Sequence, residues 1–568
     1  ERDVAKPLWQ RAGGETSPLL WGIEATAMSE PTQQLLRGVE RLTGRKASTS
    51  KTVGRKSPLM EALAWLIDHA HTGPHDVDFA ICSLAAAHLL PSLAGHLDSS
   101  MWWKALATLR RVAEESQHAA FDDQASADSL VAHQLLAGEL SLTLAYLFSD
   151  MKPLHQLRKA GRESLSEGLV ELTNGEGLVT GRVIDRLPQL MACWTRCRLL
   201  GELQDKKPWS GKADAQYRWV VRQMLRWTSP EGRPLLGDAS CGHLYSADMI
   251  RHALLRGGDP SDAAAAQRIF GRKNLGRQIK GGSFEPPEAS DHCEWAGLAV
   301  LRSGWRSDAT VAAVRYRDAQ MELEVASGER RLACGEITSV TLIDGVEASP
   351  AGEWEESCWM SDEDVDFIEL SLPLAGGAQI DRQILLAKKD RFLWMCDYVV
   401  CPEGNAVQHI WRLPIDDAVD YRESDETREA FLSVKRRPAT ALLPVALPEW
   451  RVDPRSGELA SRKGALELSV ASAGNGVACP LFWDFQPQRS LLQLTWRQLT
   501  VAQALEIQPS HVAAGYRVQC GQQQWVFYRS LAPRRNRTLL GQNISSEFFA
   551  ARFYGTTGEA ETLIEIEG

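Results

Sequence analysis

Apolar residues recur at steps of three and four along the first half of the chain. In the segment that begins at Pro58, leucine, alanine, tryptophan and isoleucine gather on one side of a helix. Proline is suited to the first helical position, because its missing N–H has no partner there in any helix. The same spacing predicts further helices at 79–94, 101–113, 129–148, 162–172, 182–203 and 213–227. Such helices must bury their apolar faces, and paired helices curled into a toroid or a solenoid would do so.

The second half of the chain changes to a period of two. Met321, Leu323 and Val325 alternate with Glu322 and Glu324, which predicts a strand with one face in water. Comparable patterns, separated by turn signals, predict strands at 295–305, 310–317, 339–343, 367–374, 379–387, 391–400, 407–413, 466–470, 491–498 and 525–530. Many short strands with few long helices indicate a sandwich or a barrel.

The sequence predicts a change of domain at 271–287, because this segment is rich in residues that end helices. It contains Gly281-Gly282 and Pro286-Pro287, which favour irregular backbone. We therefore predict a helical domain at 1–275 and an antiparallel β domain at 276–568.

The overall charge narrows the classes of partner. The chain has 568 residues and a formal net charge of −10. General nucleic-acid binding needs basic surfaces, so no nucleic-acid partner is expected. An anionic ligand stays possible, because a local group of arginines can oppose the global sign. No stretch approaches the ~20 apolar residues of a membrane span, so no membrane insertion is expected.

The 11 cysteines are odd in number and show no disulfide framework. Cys193 and Cys197 lie one helical turn apart in an apolar run, where packing is a better explanation than metal binding. This usage favours a reducing compartment such as the cytoplasm. A periplasmic or secreted location stays open, because the chain begins with Glu1 and a signal peptide could have been removed.

Three segments carry a resemblance to a known family. They are Ser-Pro-Glu-Gly-Arg-Pro-Leu-Leu-Gly-Asp at 229–238, Gly-Leu-Ala-Val-Leu-Arg-Ser-Gly-Trp at 297–305, and the strand pair at 381–400. Together they resemble the heparinase II/III-like polysaccharide lyases. The resemblance implies an α/α-toroid followed by an antiparallel β-sandwich. It also implies an acidic, uronic-acid-containing polysaccharide as the partner, cleaved when a base removes the C5 proton and a Tyr or His protonates the leaving 4-oxygen.

The sequence departs from the family at its sandwich motif. Where the family has a motif like His-x-His-x-Asp, this chain has Ala-Val-Arg-Tyr-Arg-Asp. In one register Val314 and Tyr316 replace the two histidines and Asp318 matches the aspartate. In the other register Arg317 replaces the aspartate. His409 corresponds to a histidine-bearing strand of the family, but one histidine and one aspartate fall short of the ligands that zinc prefers. We therefore predict no metal and no other cofactor.

The toroid motif is also altered. The family places a tyrosine about ten residues after a turn that corresponds to Asn174-Gly175. Here the following segment offers Arg182, Asp185 and Arg186 instead. The resemblance therefore implies a lyase scaffold whose usual catalytic set is degenerate.

The segment 237–245 is the best surviving catalytic candidate. His243 and Tyr245 lie two residues apart and can act as base and acid. In the alternative interpretation, Asp238 starts a turn or caps a helix and the two rings pack against it.

A second set of ligand-type side chains consists of His292-Cys293 together with Cys241 and His243. The two pairs lie in separate segments and no spacing fixes their geometry. They do not change the prediction that no metal is bound.

Four arginines on neighbouring predicted strands are candidate substrate-binding residues: Arg302, Arg306, Arg315 and Arg317. The guanidinium fork suits carboxylates and sulfates, and His409 joins this set through the family resemblance. A solvated sheet face with ion pairs to Glu322 and Glu324 explains the arginines equally well.

The tryptophans number 19 and invite a role as sugar-stacking platforms. In amphipathic helices most tryptophans are core residues, and this alternative covers Trp102, Trp103, Trp219 and Trp227. The sequence as a whole predicts a protein that acts on or binds an acidic polysaccharide. The alternative is a non-catalytic relative that binds a glycan or a protein on the same scaffold.

Overall fold

The computed structural model describes residues 21–43, 58–118, 125–237, 245–402, 406–454, 456–486, 488–489 and 492–567. The chain divides into two units. One comprises Glu1–Thr228 and Gly232–Pro287, and the other comprises Ser229–Glu231 and Glu288–Gly568. In the described residues the first unit is helical and the second consists of antiparallel sheets, which confirms the predicted order of helices and strands.

The helices of the first unit follow the predicted segments closely, and each predicted segment falls on an observed helix. The α-helices are α1 (Glu30–Thr43), α2 (Pro58–Thr72), α3 (Val77–Leu93), α4 (Ser99–Ser116), α5 (Ala127–His133), α6 (Ser141–Leu147), α7 (Lys152–Glu171), α8 (Leu187–Leu203), α9 (Gly211–Arg226), α10 (Ala247–Gly257), α11 (Pro260–Phe270) and α12 (Arg272–Leu275). Short 3₁₀ turns lie at Ala25–Ala27 and Gly181–Arg186, and a π-helix lies at Gln134–Leu140.

Side-chain caps explain where several of these helices begin. Asp76 accepts a hydrogen bond from the Phe79 amide at 2.9 Å, and Ser210 accepts one from the Ala213 amide at 3.2 Å. Asp259 forms a reciprocal capping box at the start of α11. Each cap satisfies an amide that has no partner within its helix.

The predicted helix at 129–148 is interrupted by the π-helix Gln134–Leu140. Next to this segment, α7 approaches so closely that a Cβ on Gly161 would lie 2.9 Å from the carbonyl oxygen of Gly138 and 2.8 Å from Cβ of Ser141. The contact between these helices therefore requires glycine at position 161.

The sequence pattern predicted no segment long and apolar enough to span a membrane, but one helix in the described residues meets both criteria. The helical stretch Ala127–Leu147 is 21 residues long and apolar enough to pass that test. However, 89% of its most apolar window is buried inside the structure, as expected for a core helix.

The second unit forms five antiparallel sheets in the described residues. Sheet A has the order β1-β2-β3-β4-β5, sheet B β13-β14-β15-β18-β11-β10-β9-β8, sheet C β16-β17-β12-β6-β7, sheet D β19-β22-β23-β26-β27 and sheet E β21-β20-β24-β25. The strands are β1 (Asp291–Cys293), β2 (Leu298–Arg302), β3 (Thr310–Arg317), β4 (Gln320–Ser327), β5 (Arg330–Glu336), β6 (Thr338–Ile343), β7 (Val346–Glu347), β8 (Glu355–Ser361), β9 (Val365–Pro373), β10 (Gln379–Ala387), β11 (Phe392–Val400), β12 (Val407–Pro414), β13 (Val419–Glu423), β14 (Ala430–Val434), β15 (Arg437–Pro444), β16 (Gly457–Arg462), β17 (Ala465–Ser472), β18 (Gly476–Asp484), β19 (Leu494–Leu499), β20 (Val501–Gln503), β21 (Glu506–Gln508), β22 (Ala513–Cys520), β23 (Gln523–Ser530), β24 (Arg537–Leu539), β25 (Gln542–Ile544), β26 (Phe548–Tyr554) and β27 (Glu559–Ile566).

The central strands of sheet B are buried on both faces. Alternate side chains point to opposite faces of a strand, so Ile384 joins one core with residues of sheets A and C, whereas Leu385 joins another core with sheet D. In the second core, the rings of Trp394 and Phe527 stack with centroids 4.1 Å apart. Strands buried on both faces read as continuous apolar runs, and β11 has this pattern apart from Asp397.

One strand of sheet A corrects the sequence interpretation. Arg315 pairs with Glu322 as the solvated-face alternative expected, with Nη2 lying 2.7 Å from Oε1 and 2.6 Å from Oε2. Glu324 is fully buried rather than exposed to water, and Cys334 donates a hydrogen bond to it. The alternating pattern therefore identifies the strand correctly but misplaces one of its polar residues.

Candidate functional site

Only one member of the predicted catalytic pair, Tyr245, lies in the described residues. His243 lies outside the described residues. Tyr245 is described and buried, and burial raises the pKa of its hydroxyl well above the usual value. This hydroxyl has no hydrogen-bond partner among the described residues. The pairing of His243 with Tyr245 stays a prediction.

The first two predicted arginines lie in different environments. Arg302 is fully buried, where its Nε donates to the carbonyl of Gly304 at 3.0 Å and its guanidinium lies over Trp305. This burial lowers the pKa of Arg302 to about 9. Arg306 is exposed and pairs with Asp308 at 2.9 Å. Only Arg306 of these two offers its guanidinium to the surface.

The other two arginines lie on β3, on either side of Tyr316. Because side chains alternate along a strand, Arg315 and Arg317 share one sheet face and Tyr316 points to the other. Arg315 is engaged by Glu322, and Arg317 lies 3.5 Å from Asp318. None of the described contacts joins the four predicted arginines to one another, so their role in binding substrate stays a prediction.

His409 lies in the core between sheets B and C. Its Nδ1 is 2.8 Å from the hydroxyl of Thr341 and its Nε2 is 2.8 Å from Oδ2 of Asp397. Both oxygens of Asp397 accept hydrogen bonds from Arg382, each at 2.7 Å. Burial alone would raise the pKa of Asp397, but Arg382 and His409 outweigh it and hold this pKa well below its usual value. The carboxylate beside His409 is therefore Asp397 and not Asp318, and its counter-ion is an arginine.

A second group has the donor types of a metal site. Ligand atoms of Glu139, Cys193 and Cys197 lie within 4.8 Å of one another, and all three residues are buried. Arg196, however, donates to both oxygens of Glu139, at 2.6 and 2.7 Å. Burial also raises the pKa of both thiols, which favours the protonated form that does not bind metal. These residues fit a packed ion pair better than a metal site, because the arginine already supplies the cation.

A histidine and a tyrosine do meet on sheet A. The Nε2 atom of His292 on β1 lies 3.0 Å from the hydroxyl of Tyr316 on β3. The turn between β1 and β2 makes this approach possible. Gly297 has φ +62°, and a Cβ at that position would lie 2.2 Å from the carbonyl oxygen of Tyr316. Glycine at position 297 thus lets the turn pack directly on the backbone that carries the tyrosine.

Strand β8 supplies the other neighbours of His292. The ring of Trp359 stacks on the imidazole with centroids 5.1 Å apart, and Oε2 of Glu356 lies 3.9 Å from Nε2. Residues three apart normally point to opposite faces of a strand. A register shift between Glu356 and Cys358 removes that alternation, so that both side chains reach the histidine. Such bulges often re-aim side chains next to functional sites.

A buried carboxylate ties together the strands that hold this group. Asp366 on β9 accepts hydrogen bonds from donors next to or on three other strands: Ser290 Oγ at 2.5 Å, the Arg302 amide at 2.9 Å and Ser361 Oγ at 2.6 Å. Lys388 lies 2.8 Å from the same carboxylate and balances its charge. The segments that carry His292 and Trp359 are thereby fixed to one anchor.

Burial fixes the protonation states of the pair. Burial lowers the pKa of His292 to about 4, so the imidazole is neutral at pH 7. Burial, with the nearby carboxylates of Glu356 and Glu294, raises the pKa of Tyr316 well above its usual value. With its proton on Nδ1, His292 can accept the hydroxyl proton of Tyr316 at Nε2. The pair therefore combines a neutral base with a protonated acid.

Sequence reasoning named both members of this pair without joining them. His292 entered as a metal-ligand type and Tyr316 as the replacement of a family histidine. The residues are 24 positions apart, so no local spacing connects them. The available signal was the hairpin register: His292 pairs with Ala299, which pairs with Val314. Tyr316 lies two residues further along β3, on the same face.

Comparisons with known proteins show which solved structures have a similar fold. No family model matches the chain, and no curated protein matches its sequence. A crystal structure of heparinase III matches with a TM-score of 0.56 at 10% identity, over 89% of this chain and 83% of that one. Heparan sulfate lyase HepC from Pedobacter heparinus matches with a TM-score of 0.51 at 10% identity, over 84% of this chain and 82% of that one. The chain is thus similar in fold to heparinase III and to this heparan sulfate lyase, and the predicted resemblance is confirmed at that level.

Proposed function

We propose that this chain acts on a uronic-acid-containing polysaccharide by β-elimination. In this proposal, 1–275 form an α/α-toroid domain and 276–568 an antiparallel β-sandwich domain. The observation that carries it is the His292–Tyr316 hydrogen bond at 3.0 Å, in a chain with the fold of heparinase III. Fold alone does not assign chemistry, and the pair adds a base and an acid to it.

The proposed reaction balances within the pair. Neutral His292 removes the C5 proton of the uronic residue, and the electrons of that bond form the C4–C5 double bond. The C4–O4 bond breaks, and O4 takes the hydroxyl proton of Tyr316. Imidazolium and phenolate are then left 3.0 Å apart, so the proton returns from His292 to Tyr316 along their hydrogen bond. No other reactant is needed.

Two further sets of residues belong to the proposal. Tyr245, with His243, is a second candidate for the proton-transfer pair, because its buried hydroxyl has no described partner. Arg306 and Arg317 are the exposed members of the predicted arginine set and are candidates for binding sugar carboxylates.

The alternative is a non-catalytic relative that binds an acidic glycan or a protein on the same scaffold. The observation that favours it is the engagement of residues predicted to meet substrate. Arg302 and His409 are buried, and Arg315 is held by Glu322.

A panel of uronic-acid polysaccharides, monitored by the absorbance of the unsaturated product, tests the proposal. We expect turnover of at least one polymer, lowered about 100-fold or more by Tyr316→Phe. A loss caused by Tyr245→Phe instead would transfer the role to the second candidate. Binding without turnover of any polymer would contradict elimination and support the alternative.

A further inference from the structure

Carboxylates surround the His292–Tyr316 pair in the described residues. In the described part of the chain, the ionised groups that act on the two rings belong to Asp291, Glu294 and Glu356. The nearest of these carboxylates lies 3.9 Å from the histidine nitrogen. Arg315 and Arg317 flank the tyrosine in sequence but lie on the opposite face of sheet A.

These carboxylates would repel an ionised sugar carboxylate. Elimination from a free uronate builds a second negative charge on the sugar as the C5 proton leaves. An enzyme that uses such a substrate therefore needs a cation or strong donors at the carboxylate. Carboxylates at this position would instead repel the growing charge. An esterified uronate starts neutral, and its C5 proton is more acidic because the developing enolate carries one charge rather than two.

We propose that the His292–Tyr316 pair acts on uronic residues whose carboxyl group is esterified rather than ionised. The inference rests on the function proposed above and names the substrate class of the same site. The reaction follows the same balance of bonds and protons, and the ester group is unchanged in the product.

The burial of the pair also favours an esterified uronic residue over an ionised one. Only 8% of the His292 side chain is exposed, and Tyr316 is buried. Transfer of an ionised carboxylate into such a site costs far more than transfer of an ester, because an ion loses its hydration.

The experiment compares two forms of one polymer with the full chain. Methyl-esterified polygalacturonate and the same polymer after saponification are incubated at pH 6, with protein-free blanks for spontaneous elimination. Hyaluronan and its methyl ester form a second matched pair. We expect kcat/KM for the ester to exceed that for the free acid at least about tenfold, because like charges at a close site disfavour binding of the free acid.

Variants assign the preference to this pair. Tyr316→Phe and His292→Gln should each lower turnover of the ester about 100-fold. Tyr421→Phe is the matched control, because its hydroxyl also lies beside a glutamate, 3.4 Å from Glu423, and this variant should retain full turnover. Thermal unfolding of each variant checks that the fold is intact.

The outcomes separate this inference from the proposed function. Turnover of the free acid at an equal or higher rate overturns the ester preference and leaves the β-elimination proposal standing. Failure of the wild-type chain to turn over either form overturns both. Ester turnover that survives Tyr316→Phe overturns the assignment to this pair.

Discussion

Two histidines of the second unit lie in polar clusters of similar composition, and they differ in the cation beside them. His409 contacts Asp397, whose two oxygens are both bound by Arg382. His292 contacts Tyr316 and Glu356, and the charged groups that act on it and on the tyrosine in the described residues are carboxylates. The first cluster satisfies its own charge and is closed to solvent. The second holds a neutral base and a protonated acid next to carboxylates, so the arginine distinguishes the structural cluster from the one proposed to react.

Removal of that arginine should give the largest effect. Arg382→Met leaves Asp397 buried without its counter-ion, and we expect the free energy of unfolding to fall by about 3–5 kcal/mol. Denaturant unfolding, followed by circular dichroism, measures this change. Arg110→Met is the control, because its side chain is 44% exposed and it pairs with the equally exposed Glu114. The control should change stability by less than about 1 kcal/mol. Equal effects of the two substitutions would show that the Arg382 cluster carries no special stability.

Substitutions of the two histidines should separate a loss of activity from a loss of stability. His292→Gln should lower kcat about 100-fold, because the base is lost, and change the free energy of unfolding by less than about 1 kcal/mol. His409→Gln should weaken the fold by about 1–3 kcal/mol, because a buried hydrogen-bonded network is disturbed. Activity assays and denaturant unfolding on both variants test the contrast. If His292→Gln loses stability but not activity, the roles assigned to the two clusters are reversed.

The positions of these clusters show what the sequence could predict. The strands that carry Asp397 and His409 were predicted within one residue at most ends, because turn-forming residues bound these segments in the sequence. Their contact was not predicted, because it joins sheets B and C and a strand pattern does not specify how sheets pack. For the same reason, the burial of Glu324 was missed: alternation identifies two faces but not which of them is covered.

The pair proposed to react was easier to predict from the sequence. His292 and Tyr316 belong to consecutive strands of an antiparallel meander, so hairpin register alone places them on one face. The contribution of β8 was not accessible, because the bulge that brings Glu356 and Trp359 together depends on a local register shift. Hence the strands and the His292–Tyr316 contact follow from local sequence pattern. The charges around that contact depend on tertiary packing, which the pattern does not specify.

The pH dependence of stability should also distinguish the cluster around His292. The pKa of His292 is lowered to about 4 in the folded chain, against about 6.5 in an unfolded one. Between these values the unfolded chain binds a proton that the folded chain does not. Stability is therefore lost as the pH falls from about 6.5 toward 4, by up to about 1.4 kcal/mol per pH unit. Denaturant unfolding of wild type and His292→Gln across this range measures the difference. Parallel curves would show that the imidazole titrates normally.

The smallest expected effect concerns Glu356, and it tests the negative surroundings of the pair most directly. Glu356→Gln keeps the shape of the side chain but removes the carboxylate 3.9 Å from His292. Repulsion of a free uronate should then weaken, so turnover of the free acid should rise about fivefold while turnover of the ester stays nearly constant. The measured quantity is the ratio of kcat/KM for the two forms of polygalacturonate. Glu423→Gln is the control, because that carboxylate lies beside Tyr421 instead, and it should leave the ratio unchanged. A ratio that is the same in wild type and Glu356→Gln would mean that this carboxylate does not set the substrate charge. The preference would then have to come from Asp291 or Glu294.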